Sequence, residues 1–269
     1  MAGRLAIIAC AGELPVLLHK AHPGAMVITL EGIESDLAPV SQRFRLEEIG
    51  VLFEAMKTER VTDVIFAGAL TRPALNPTAF DSQMMAIAPR LMKAMTLGDD
   101  GLLRMVIEVF EEQGFAVIGA HEVVPQLLAE PGLALGGDPS ETDEAVFARA
   151  VQILRGIAPL DIGQGCVVAG GQCLGIETVQ GTDALLRFVA ETPARYRLGR
   201  VQGVYVKAAK TGQDLRMDMP AIGPTTVRAV AAAGLSGIVV ETDRVLILDR
   251  YATLQAAKEA KIFLRARTL

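Results

Sequence analysis

The chain has 269 residues, half of them apolar, no Trp, and a formal net charge of −5. That length supports one large domain or two ordinary ones, and the core-rich composition fits an α/β protein. The acidic balance excludes general nucleic-acid binding, although a local basic cluster can still hold one phosphorylated ligand.

Leu5 to Cys10 is apolar but stops at Gly12-Glu13, too short for a secretory apolar region, so it reads as a first strand. Glu13 to Ala21 forms a helix, Met26 to Leu30 a second strand. Leu46 to Thr58 carries helical spacing at Leu46, Ile49, Leu52, Phe53 and Met56, and Val61 to Gly68 is a third strand. Helices over Phe80 to Met95 and Asp99 to Gln113 precede a strand at Phe115 to Ala120 and a helix after His121. Such alternation predicts a parallel, doubly wound sheet, whose ligands bind beyond the carboxyl ends of its strands. Those ends are Ala11-Gly12-Glu13, Gly68 to Arg72 and Gly119 to His121.

The Gly- and Pro-dense stretch from Glu130 to Ser140 reads as a linker, dividing the chain into 1–131 and 132–269. A helix from Glu141 to Ile157 connects them, with Ser140 or Thr142 as its N-cap. Gly165 to Val179 reads as two strands turning at Gly170-Gly171. A helix Asp183 to Ala190, a strand Gly203 to Ala208, a helix Thr225 to Ala233, strands Gly237 to Glu241 and Val245 to Asp249, and a closing helix Thr253 to Phe263 follow. The expectation is an N-terminal doubly wound domain, a distinct C-terminal α/β (α+β) domain, and a cleft between them.

No apolar stretch reaches the roughly 18 residues of a membrane span, while contact with a membrane surface stays open. Cys10, Cys166 and Cys173 form no CxxC pair and lie in strand-like runs, as buried free thiols do in a reducing, cytoplasmic setting. His19, His22 and His121 have no HxH or HxxxH spacing, which argues against zinc. His121 ends a strand, where it serves as a hydrogen-bonding residue or a catalyst.

The densest chemistry lies between Lys207 and Pro224, which place two lysines, an arginine, a glutamine and two aspartates between a strand and a helix start. Cations beside carboxylates suit a phosphorylated substrate: Lys and Arg hold phosphate oxygens while Asp carries Mg²⁺ or activates water. A solvated, salt-bridged loop is the plainer reading. In an extended chain Asp214, Arg216 and Asp218 share one face, opposite Leu215, Met217 and Met219.

Gly12 either makes a tight strand-to-helix turn or admits backbone to an anion at the helix start. Asp99 serves as an N-cap, whereas Asp100 and Arg104 one turn later suit a ribose, a base or a metal-bound water. Thr182 or Asp183 caps a helix, or Gly181 and Thr182 form a nest for phosphate or sugar oxygens with Glu177 facing the same pocket.

Taken together, Gly68 to Pro73, Gly98 to Arg104, Gly119 to Pro125, Leu160 to Gln164, Glu177 to Asp183 and Lys207 to Pro224 resemble the metal-dependent UDP-2,3-diacylglucosamine pyrophosphatases of bacteria, the type unrelated to calcineurin-like phosphoesterases. The resemblance implies Mg²⁺-dependent (or Mn²⁺-dependent) cleavage of a lipid A precursor into UMP and 2,3-diacylglucosamine 1-phosphate, with water attacking the sugar-side phosphorus. It also implies a Rossmann-like N-terminal domain, a homodimer, and a cytoplasmic enzyme, peripheral at the inner membrane, acting on a UDP-linked diacylated glucosamine. Asp214 and Asp218 become catalytic residues and metal ligands, with Lys207 also catalytic. Lys207, Lys210 and Arg216 meet the diphosphate, Gly12, Thr71, Asp99 and Asp100 lie on the nucleotide side, and Arg104, Gln164, Glu177, Thr182 and Gln213 complete the substrate contacts. The rivals are a non-catalytic nucleotide-sugar or lipid-phosphate binding protein, and a nicotinamide-dependent oxidoreductase using Glu31, about 20 residues past Gly12, as its ribose-binding acid.

Overall fold

The computed structural model describes residues 3–70, 74–96, 98–197 and 202–269. The chain forms two compact units, Met1–Pro125 with Asp214–Asp218, and Gln126–Gln213 with Met219–Leu269.

In the first unit the elements run β1 (Arg4–Ala9), α1 (Glu13–Ala21), β2 (Met26–Leu30), β3 (Gln42–Phe44), α2 (Ile49–Thr58), β4 (Val61–Ala67), α3 (Ser82–Ala94), α4 (Gly98–Glu112), β5 (Ala116–Val117) and α5 (Ala120–Val123). The strands pair in the order β3-β2-β1-β4-β5, all parallel, so the expected doubly wound sheet is present. β2 is buried at all five positions, as a parallel strand covered on both faces must be. Ala6, Ile8, Ile28 and Val64 face a core built with α2, α3 and α4, where the Phe53 and Phe66 rings meet Phe110 edge-on at centroid distances of 5.1 and 5.0 Å. Met217, from the distant 214–218 segment, packs against the same core.

The elements differ from the expectation in several places, among them α2, which begins at Ile49 rather than Leu46, and α3, which spans Ser82–Ala94 rather than Phe80 to Met95. β3, spelled Gln-Arg-Phe, has no apolar alternation to announce it and is created by pairing with β2. The run Phe115 to Ala120 contributes only Ala116–Val117 to the sheet, because the chain turns into α5 at Ala120. Asp99 and Asp100 lie in the first turn of α4, which begins at Gly98, so Asp99 is not the N-cap.

In the second unit β6 (Ala134–Leu135), α6 (Glu141–Ile157), β7 (Gly165–Ala169), β8 (Gln172–Ile176), α7 (Gly181–Glu191) and β9 (Gly203–Lys207) are followed by β10 (Ala221–Ile222), α8 (Pro224–Ala232), β11 (Gly237–Glu241), β12 (Leu246–Ile247), α9 (Arg250–Ala260) and β13 (Phe263–Arg267). The main sheet has the order β6-β13-β11-β9-β7-β8, with β13, β11 and β9 parallel and β6, β7 and β8 entering antiparallel. Alternation along β9 divides its faces: Val204 and Val206 pack with Val146, Ala150 and Leu154 of α6, whereas Tyr205 faces the cluster containing α7, α8 and α9. Gly170 and Gly171 both take positive φ, as a two-residue hairpin turn demands, and β7 and β8 pair across it as expected.

The closing helix begins and ends three residues earlier than the apolar spacing suggests. Lys261 adopts a left-handed conformation that ends α9, and Phe263 to Arg267 become a strand between β11 and β6. A vacant sheet position overrides the helical pattern here, because Phe263 and Leu264 bury more fully between two strands than on a helix flank. The stretch read as linker likewise contains β6, which pairs with β13. No described helix is long and apolar enough to cross a membrane.

Candidate functional site

The first sheet reverses its winding between β1 and β4, so the loops leaving these strands bound its ligand crevice. Ala69 N donates to Ala11 O at 2.8 Å, and Ala11 N donates to Ala69 O at 3.3 Å. Gly68 has φ +92°, and a Cβ there would stand 2.4 Å from Ala11 O. Gly68→Ala should therefore cost more than about 1 kcal/mol, since both the backbone region and the contact are forbidden; chemical denaturation measures it, and unchanged stability would show that the loops part freely. Gly12, at φ +99°, opens α1 without a side-chain cap. Thr71 lies outside the described residues.

Segment 214–218 is not the extended ribbon its alternating charges suggested. Residues 215–217 form a turn, and Arg216 folds back onto Asp214. Arg216 Nε donates to both Asp214 oxygens at 3.0 and 3.2 Å, Nη2 to Oδ2 at 2.7 Å, and the Arg216 amide to Oδ1 at 3.0 Å. Nη1 donates to Glu111 Oε1 of α4 at 2.8 Å and to the Val117 carbonyl at 3.4 Å. The guanidinium thus stands at the carboxyl end of β5, a position at which doubly wound sheets bind ligands. Asp214 is held below the usual carboxylate range, chiefly by the Arg216 hydrogen bonds and in small part by the charge of Arg104. Arg104 Nε in turn donates to Asp100 Oδ2 at 2.8 Å, one turn back on α4. Asp100, Arg104, Asp214 and Arg216 therefore share one electrostatic environment.

In the second unit, Lys207 is buried and its Nζ donates to both Glu177 oxygens, at 2.9 and 2.7 Å, and to Thr182 Oγ1 at 3.0 Å. Thr182 Oγ1 also donates to Glu177 Oε1 at 3.1 Å, and Tyr205 Oη approaches it at 3.4 Å. Burial pushes the Tyr205 phenol up, with the Glu177 charge adding to the shift. A Cβ at Gly165 would stand 2.5 Å from Glu177 Oε2, so only glycine lets the strand pass this network. A second group forms around Lys210. Its ammonium pairs with Asp161, its amide donates to Gln213 Oε1 at 3.0 Å, and Gln164 Nε2 donates to the same oxygen at 3.1 Å.

The structure thus brings Lys207, Glu177 and Thr182 into one cluster, Lys210, Gln164 and Gln213 into another, and Asp100, Arg104, Asp214 and Arg216 into a third. Glu111, Asp161 and Tyr205 were not singled out from the sequence. Glu111 lies on the polar face of an amphipathic helix and gives no signal, whereas Asp161 sits inside Leu160 to Gln164 and Tyr205 two residues before Lys207, both within reach of segments already read. His121 deserves more weight than its position alone suggested: its Nδ1 is buried without a hydrogen-bond partner among the described residues. A Cβ on Gly119 would meet its ring at 2.4 Å and Arg216 Cα at 3.4 Å, so His121 and Arg216 both press on the same backbone.

Among the described residues no three His, Cys, Asp or Glu side chains gather as a metal cage. Mg²⁺ needs less, since it is commonly held by one or two carboxylates together with substrate phosphates. Asp214, charged and held by Arg216, fits that mode once a phosphate competes for the guanidinium.

A family model described as the LpxI N-terminal domain matches residues 4–127, and one described as the LpxI C-terminal domain matches residues 130–265. The UDP-2,3-diacylglucosamine pyrophosphatase LpxI of Caulobacter vibrioides is 37% identical over 268 residues, covering 97% of this chain and 96% of that protein.

Proposed function

The chain belongs to the LpxI family, and we propose that it hydrolyses the diphosphate of UDP-2,3-diacylglucosamine in lipid A synthesis, yielding UMP and 2,3-diacylglucosamine 1-phosphate. The observation that carries this reading is the end-to-end similarity to a relative named for that substrate. The preformed Arg216 fork at the carboxyl end of β5 supports it, because a guanidinium braced by two carboxylates is positioned for a phosphate before the substrate arrives.

In this mechanism the loops after β1 and β4 and the start of α1 hold the nucleotide side, with Gly12, Thr71, Asp99, Asp100 and Arg104 as its contacts. Arg216 exchanges its carboxylate partners for diphosphate oxygens, which frees the Asp214 oxygens. Mg²⁺, or Mn²⁺ in its place, supplies neutralisation of charge on the diphosphate, with Asp214 and Asp218 as the carboxylates that hold it. Water attacks the sugar-side phosphorus; its oxygen stays on the 1-phosphate, the bond to the bridging oxygen breaks, and UMP leaves. Until the substrate draws Arg216 away, the guanidinium keeps Asp214 in its charged form, and the freed carboxylate carries the negative charge that would hold the metal. Lys210, Gln164 and Gln213 are further contacts to the substrate. Lys207 acts by fixing Glu177 and Thr182, since its ammonium is buried and has three acceptors.

The test incubates the purified protein with the UDP-lipid in heavy-oxygen water. The expected outcome is UMP, with the heavy oxygen in the lipid phosphate; label in UMP would move the attack to the other phosphorus, and absence of UMP would remove the reaction. Excess EDTA should stop turnover and added Mg²⁺ or Mn²⁺ restore it, whereas full activity after chelation would eliminate the metal. UDP-glucosamine without acyl chains should be a far poorer substrate, since each buried methylene contributes about 0.8 kcal/mol. Equal efficiency with both substrates would leave a general nucleotide-sugar hydrolase. The same proposal includes a homodimer, read by sedimentation, and peripheral association with the inner membrane, read by pelleting with lipid vesicles.

A further inference from the structure

Three cysteines are present, and two of them occupy a place that neither the fold nor the proposed hydrolysis requires. Cys166 lies on β7 and Cys173 on β8, adjacent antiparallel strands of one hairpin. Cys173 pairs with Val168, and Cys166 precedes Val168 by two residues, so alternation puts both thiols on the same face of the sheet. The register shifts between Val167 and Val168, leaving an extra residue on β8. Their Sγ atoms are 4.0 Å apart.

We propose that Cys166 and Cys173 are a redox-active dithiol, a modification site at which a hydroperoxide converts the pair into a reversible disulfide. The two positions differ in the way such chemistry needs. Cys173 is exposed on the edge strand of its sheet, which gives a small oxidant access. Cys166 is fully buried beneath α6, with the Cys173 sulfur beside it.

Closing 4.0 Å to the bonded distance of about 2.05 Å requires a movement that this edge allows. β8 is the last strand of its sheet, hydrogen-bonded on one side only, and already carries the irregularity beside Cys173. The proton distribution supports the same direction of attack. The Cys173 thiol is pushed down to about 6, first by the hydrogen bond from Cys166 and then by the Gly175 backbone and the Arg149 charge. Cys166 is pushed up by sharing its proton with Cys173 and by burial. Cys10 is buried and pushed up to about 11 by desolvation, which makes it an internal control.

The chemistry balances in two steps. The Cys173 thiolate attacks one peroxide oxygen, the O–O bond breaks, and the departing hydroxide takes a proton to become water, leaving a sulfenic acid. Cys166 sulfur then attacks Cys173 sulfur, expelling the hydroxyl as a second water with the Cys166 proton. Two thiols lose two electrons and two hydrogens in all, and the peroxide is reduced to two waters.

The experiment uses the full chain, treated with hydrogen peroxide, denatured, alkylated with a maleimide and weighed as intact protein and peptides. The reduced protein should take three labels. The oxidised protein should take one, at Cys10, be lighter by two hydrogens before labelling, and regain all three labels after dithiothreitol. A Cys166–Cys173 disulfide peptide should be found. In Cys173→Ser, a conservative change at an exposed site, peroxide should leave Cys166 and Cys10 alkylatable. In Cys166→Ala, Cys173 should instead accumulate oxygen. The proposal is overturned if the wild-type protein keeps all three labels, or if Cys173 gains oxygen while Cys166 remains alkylatable.

Discussion

Asp214→Ala is expected to lose turnover by roughly 10² to 10⁴ while the protein stays folded, the range typical for removal of a positioned acid, base or charge-bearing group. Asp214 lies in a partly exposed turn, and Arg216 keeps its Glu111 and Val117 partners when the carboxylate goes. The stability cost should therefore be small, about 1 kcal/mol or less for a partly exposed pair. Steady-state rates across a Mg²⁺ series, with circular dichroism to establish folding, make the measurement. If Asp214 carries charge for the metal, Asp218→Ala is impaired as well and both variants shift the Mg²⁺ dependence. A folded Asp214→Ala enzyme with wild-type kcat at saturating Mg²⁺ would refute the role. The pH response has a definite sign. Because the folded carboxylate is held below its ordinary value, its contribution to stability is present above the unfolded value of about 3.9 and is lost only as pH falls through the lowered folded value. Asp214 accordingly stays ionised throughout the mildly acidic range, and an acid limb in the rate profile above about pH 5 must come from another group.

Lys207→Ala should destabilise the second unit by about 3–5 kcal/mol, because it leaves the buried Glu177 carboxylate without its cation. The loss exceeds what a surface ion pair would give, since Lys207 is 3% exposed and Glu177 8% exposed. Denaturant titration of the single variants and of the Lys207→Met/Glu177→Leu double variant separates the causes. The double variant should recover most of the stability, as apolar side chains of similar volume replace a buried pair at little net cost. If it regains stability but not turnover, the pair serves the reaction by positioning Thr182; full recovery of both would reduce the pair to scaffolding.

Local chemistry made much of the architecture legible. Met26 to Leu30, Glu13 to Ala21, Glu141 to Ile157 and Gly237 to Glu241 agree with the sequence reading to the residue. Each joins a strong apolar pattern to a clear stop, such as the Ser140 cap, whose oxygen accepts from the Asp143 amide at 3.2 Å. Elements created by pairing alone were not legible. β3, β6 and the two-residue β10 are too short to show periodicity, and they exist because a neighbouring strand offers hydrogen-bonding groups, whereas β12 falls within the expected strand Val245 to Asp249.

The candidate site divides along the same line. By itself the sequence singled out Lys207 to Pro224 as the stretch densest in mixed charge, and placed Gly12 and Gly68 at the ends of strands. The tertiary structure decided which of these groups meet. Asp214–Asp218 belongs to the first unit although it lies deep in the C-terminal half, with Met217 against that unit's core and Arg216 on the last carbonyl of β5. Lys207, seven residues before Asp214, is instead buried with Glu177 in the second unit. Side-chain alternation can be read from a strand, but whether a segment is extended or turned depends on the partners available to its backbone and charges. Arg216 finds Asp214 two residues back, and Glu111 and the Val117 carbonyl across 105 and 99 residues of chain; those two distant contacts cannot be written into local sequence.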